Sequence, residues 1–171
     1  DQVFDKYHQA IGGPQKAPAV TSIVFKGTYE GYAEPKAPVE IYVKAPNQRT
    51  MIVHTDLGDR TTACDGNSGW MAAPAADKPF PVITYTGGDL DGVRLDTVLS
   101  LPAGIKEAMT RPVVGSTTID DKDVIVVQGA ASGGRSSVKL YFDKQSGLLV
   151  RQVRFADTII GPVPTQVDYS D

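Results

Sequence analysis

Cysteine is almost absent from this chain. Cys64 is the only one among 171 residues, so no internal disulfide can form and no Cys-x-x-Cys-His haem attachment exists. A lone cysteine fits any redox compartment. With no histidine near it in sequence, Cys64 reads as a packed thiol rather than a nucleophile. Histidine is nearly as scarce. His8 and His54 are the only two, neither has a partner at ligand spacing, and no base, nucleophile and orienter converge on them. Neither is assigned a catalytic role, and no enzyme activity, metal or cofactor is expected. Basic charge is not in excess. Seventeen Lys and Arg face twenty Asp and Glu, for a net charge of −3, without the basic cluster that phosphate neutralisation needs. Nucleic acid is therefore excluded as a partner. No apolar run approaches the roughly 18–20 residues that span a bilayer, so no transmembrane helix is expected. An initiating methionine is missing too. Asp1 in its place suggests a processed protein or an excised domain.

What is present describes a folded, strand-rich protein. Hydrophobic residues make up 41% and charged residues 22%, enough for a real core, and the length favours one domain over 1–171. Seventeen glycines and twelve prolines suit a chain with many turns. Residues 1–11 read as a short amphipathic helix, with Val3, Phe4, Tyr7, Ala10 and Ile11 on one face. Gly12-Gly13-Pro14 ends it. A meander over 20–73 follows. In it Val39, Ile41 and Val43 alternate with Glu40, Tyr42 and Lys44, and Met51 and Val53 alternate with Ile52 and His54. Ala45-Pro46-Asn47-Gln48, Leu57-Gly58-Asp59 and Asp65–Gly69 supply the turns. From Leu90 to Met109 the apolar spacing becomes three and four. This predicts two helices within 91–110, divided at Leu101-Pro102. A second meander over 113–170 closes the chain, with Asp143–Gly147 as its best hairpin turn and an interruption at Gly161-Pro162-Val163-Pro164.

This order predicts an α+β fold, mostly β: one large curved antiparallel sheet, a half-barrel, with an N-terminal helix and a midchain helical pair over its concave face. Such a concavity suits a hydrophobic ligand. The residues expected to line it are Val39, Ile41, Val43, Met51, Val53, Trp70, Val98, Leu99 and Ile105; for Trp70, plain core packing is the simpler reading.

Other clusters have simpler readings. Asp89, Asp91 and Asp96 lack the remaining early carboxylate and terminal Glu of a calcium loop, and helix capping accounts better for Asp89 and Asp91. Asp120, Asp121 and Asp123 make a solvated turn. Gly133-Gly134-Arg135 is too short for a phosphate cradle. Arg151 and Arg154 fall on opposite faces of one strand.

Two stretches carry a family resemblance. Val43-Lys44-Ala45-Pro46-Asn47, followed by Asp65-Gly66-Asn67-Ser68-Gly69-Trp70 and Pro74, resembles the front half of the bacterial lipoprotein-localisation carriers of the LolA/LolB type. Asp143-Lys144-Gln145-Ser146-Gly147-Leu148-Leu149 is similar to their late hairpin. Thr61-Thr62-Ala63, Leu140–Lys144 and Pro164–Tyr169 resemble a less characterised branch. Domains of that branch can follow a c-type cytochrome module in longer proteins. The resemblance implies an exported, periplasmic protein that binds a lipid or the acyl chain of a lipoprotein without catalysis. The alternative it implies is a structural or docking module of a larger electron-transfer protein, covalently joined to a parent module upstream. That branch tends to continue beyond residue 171, so a truncated or shorter variant is expected. The carriers place an arginine before the Pro-Asn, where it locks a helical lid. Ala45 occupies that position here and cannot donate such a bond.

Overall fold

The computed structural model describes residues 2–31, 35–74, 82–132, 136–158 and 161–170. Gly133-Gly134-Arg135 lies wholly outside them, as do 32–34 beside Pro35 and the stretch 75–81. The fold is α+β and mostly β, with two antiparallel sheets and no closed barrel among the described residues. Sequence order alone suggested one large sheet. The hydrogen-bonded strands instead form ladders of six and five, because a helix and a turn intervene between the sixth strand and the seventh. The chain divides into two compact units, residues 21–101 and residues 1–20 with 102–171.

In the unit of residues 21–101, β1 (Ser22–Tyr29), β2 (Ala37–Lys44), β3 (Gln48–Thr55), β4 (Gly58–Cys64), β5 (Gly69–Ala72) and β6 (Val82–Thr84) lie side by side in sequence order. Ile41 pairs with Phe25 and Met51, and Val39 with Val53. Period-two alternation therefore sorts the strands into one apolar face and one polar face. The three-residue β6 was not anticipated. Its Val82 and Ile83 are half or more exposed, and so short a strand shows no periodicity to read.

Helix α1 here is Gln2–Ala10, part of the other unit. It lays Phe4 and Tyr7 edge-on against Phe142, with ring centroids 5.9 and 5.6 Å apart, a favourable aromatic geometry. It ends where expected: Gly12 and Gly13 take φ of +112° and +94°, and the Gly13 N–H bonds back to the His8 carbonyl at 2.7 Å. A four-residue helix, α2 (Lys16–Ala19), lies in the expected connector.

Helix α3, Gly87–Leu99, begins four residues before the expected 91. The second midchain helix is absent. Pro102–Gly104 makes one 3-10 turn, and Met109 already begins β7 (Met109–Ile119). Leu101, Ile105, Ala108 and Met109 are all buried. A turn-rich segment that buries one side produces the same spacing as a helix.

The second sheet has the order β11-β10-β9-β8-β7, with β8 at Lys122–Ala131, β9 at Ser137–Asp143, β10 at Leu149–Thr158 and β11 at Gly161–Asp168. Val127, Val138 and Leu140 are fully buried and form its core. Gly161–Pro164 does not interrupt the pairing: Pro162 faces Asp157 and Pro164 faces Phe155. Because β11 is an edge strand, its prolines leave no ladder partner without a donor.

Candidate functional site

The apolar face of the first sheet can be followed strand by strand. Ile23 and Phe25 of β1 stand beside Val43 and Ile41 of β2. These stand beside Arg49 and Met51 of β3, then Cys64 and Thr62 of β4, then Gly69 and Met71 of β5. Val53, Val43, Cys64, Thr62 and Arg49 are buried, while Ile23, Phe25, Val39, Ile41, Met51 and Met71 are only half-buried. A band of half-buried apolar side chains thus runs across β1, β2 and β3.

Helix α3 packs on this face at β5. A Cβ added to Gly69 would lie 2.9 Å from Val93 Cγ2 and 3.4 Å from Leu90 Cδ1, so the absence of a side chain there lets the helix approach. Arg94 fastens it. Its Nε donates to the Gly66 carbonyl at 3.1 Å and its Nη2 to the Asn67 carbonyl. Asp91, one turn before, lies 4.0 Å from the Arg94 guanidinium.

The turn that receives Arg94 is built by Asp65. Its carboxylate accepts the backbone N–H groups of Asn67 and Ser68 at 2.8 and 2.7 Å and the Ser68 hydroxyl at 3.0 Å. These bonds, the Ser68 N–H foremost, hold its pKa below the ordinary carboxylate value. Gly66 has φ of +92°, and a Cβ there would lie 2.6 Å from Asn47 Cβ. Two of the segments that carry the family resemblance, at Asn47 and at Asp65–Gly69, therefore touch. The same Asp-x-x-Ser-Gly turn recurs at Asp143–Gly147. Asp143 there accepts from the N–H groups of Gln145 and Ser146 at 3.1 and 2.6 Å, and Lys6 of α1 donates to the Lys144 carbonyl at 2.7 Å. Each unit thus pins a helix to a turn of this kind through one basic side chain.

The opposite face of the first sheet is polar. Glu40 accepts from Tyr42 at 2.6 Å and pairs with Lys26 at 2.9 Å. The Tyr42 bond, then the Lys26 bond, lower its pKa. His54 Nδ1 lies 2.8 Å from Asp59 Oδ1. His8 is in the other unit, with Nε2 3.3 Å from the Pro102 carbonyl. Cys64 is buried, and the Gly66 N–H points at its sulfur from 3.3 Å.

Of the expected cavity residues, Val39, Ile41, Val43, Met51 and Val53 share the apolar face. Leu99 is buried and Val98 half-buried in α3. Trp70 does not join them. Cys64 pairs with Gly69, so Trp70 pairs with Ala63 and points to the polar side. It is 40% exposed and walls a depression of about 240 Å³ with Gln48, Arg49, Thr50, Ala63, Cys64, Asp65 and Ser68. Ile105 belongs to the other unit, where it is 1% exposed. Arg49 and Arg94 were not anticipated. Arg49 shares parity with Met51 and Val53, so the alternation already placed it inward, against its charge.

No protein-family model matches the chain, and no curated protein matches it. Among the described residues no helix is long and apolar enough to cross a membrane.

Proposed function

We propose that this protein binds an apolar ligand, a lipid or the acyl chain of a lipoprotein, on the helix-bearing face of its first sheet. The half-buried band of Ile23, Phe25, Ile41 and Met51 carries this reading. Each methylene of a chain laid on that band and removed from water gains about 0.8 kcal/mol. A long acyl chain can thereby offset the cost of being immobilised. The ligand needs no chemical step, so binding and release are the whole of the proposed activity. Resemblance to the lipoprotein-localisation carriers supports the same reading and an exported, periplasmic setting. In those carriers an arginine on the sheet holds the lid. In this chain Arg94, on the helix, reaches back to the β4–β5 turn and keeps α3 in place. Titration with a fluorescent fatty acid, alongside native mass spectrometry of the freshly extracted protein, tests the reading. Saturable 1:1 binding is expected, and Ile41→Glu should weaken it at least tenfold. Absence of any saturable or retained apolar ligand contradicts it.

A further inference from the structure

Arg49 is the one charged side chain of β3 that faces the apolar side, and it is only 8% exposed. Val43 and Cys64 flank it across the sheet and Met51 follows it along the strand. Its Nε is shut off from solvent and has no hydrogen-bond acceptor. Its Nη2 meets only the Met51 sulfur, at 3.9 Å, a weak acceptor. No carboxylate lies within ion-pair distance among the described residues. A buried guanidinium N–H without an acceptor is costly, and such a group in a folded protein calls for an explanation.

Geometry indicates the missing acceptor. Nε and Nη2 lie along the same edge of the guanidinium, and their parallel N–H bonds match the two oxygens of a carboxylate. The β1–β5 residues that share this face include Arg49 and Arg60 but no Asp or Glu, whereas Glu40 and Asp59 fall on the opposite face. The apolar band begins at the next residue of the same parity, Met51, and runs through Ile41 to Phe25, about 10 Å away over two strand spacings.

We infer that Arg49 is the headgroup site for an anionic amphiphile, a long-chain fatty acid. The carboxylate takes the Nε–Nη2 edge, and the hydrocarbon tail lies over Met51, Ile41 and Phe25. Met51 is the plug: its unbranched, readily re-packed side chain fills the place of the carboxylate until the ligand displaces it. Binding is reversible, and no bond is made or broken. The site presupposes the apolar-ligand reading above.

The test compares myristate with tetradecanol, equal in chain length and different in headgroup, by calorimetric titration of the whole chain at pH 8. The wild type is expected to bind myristate at least tenfold more tightly than the alcohol. Arg49→Met should abolish that preference. Arg49→Lys, which keeps the charge but not the forked edge, should retain only part of it. Equal affinity of the wild type for acid and alcohol overturns the headgroup site and leaves the apolar-ligand reading intact. Binding of neither overturns both. A preference for the acid that survives in folded Arg49→Met also overturns the assignment.

Discussion

Single residues set the shape of the apolar face of the first sheet more than its broad hydrophobicity does. Gly66 is the sharpest case. It needs a left-handed backbone, and Asn47 leaves no space for a Cβ. Gly66→Ala therefore strains the backbone and pushes apart the β2–β3 and β4–β5 turns. A loss of about 1–3 kcal/mol is expected, read as a lower midpoint in urea unfolding. An unchanged midpoint would show that the two turns are not held together. Trp70 carries a different lesson. A tryptophan after an Asp-Gly turn suggested the wall of an apolar cavity. The face it occupies depends on how many residues the turn consumes, and a shift of one residue moves every side chain of a strand to the other side. Cys64 pairing with Gly69 puts Trp70 outward. That count is a property of pairing, which local sequence does not display. Arg49 was legible in its parity and hidden by its charge, because arginine is seldom buried.

At the scale of elements, the parts with strong local signals could be read directly. The α1 stop at Gly12-Gly13, the β2–β3 and β3–β4 hairpins and the Asp143 turn each combine a periodic run with turn chemistry. The segment 101–110 could not be read this way. Its apolar spacing fits a helix, yet Leu101, Ile105 and Met109 are buried from a bend, a turn and a strand. Neither could the β11 prolines, whose meaning depends on β11 lying at a sheet edge. Helix α3 depends on an attachment that sequence periodicity does not show, the Arg94 bonds to the β4–β5 turn. Arg94→Ala removes them and leaves the Gly66 and Asn67 carbonyls to solvent. The expected cost is about 1 kcal/mol, with faster amide hydrogen exchange confined to α3 and the β4–β5 turn. Uniform exchange behaviour in the variant and the wild type would contradict an anchoring role. In the second unit, Lys6 and the Asp143 turn repeat the device.

For the whole molecule, mostly-β class and antiparallel order followed from alternation and turns. The separation into sheets of six and five strands did not, since it depends on which strands decline to pair. Residues 21–101 contain the apolar face, its covering helix and the unpaired arginine. This face, and not the polar face around Trp70, is the one proposed to receive an apolar ligand. Methyl-resolved NMR during a fatty-acid titration tests it most directly. Saturable shifts are predicted at the methyl groups of Ile23, Ile41 and Met51, with Ile52 on the polar face unmoved. Shifts centred on Ile52 and Thr50 beside Trp70, or no saturable shift at any methyl group, would contradict it.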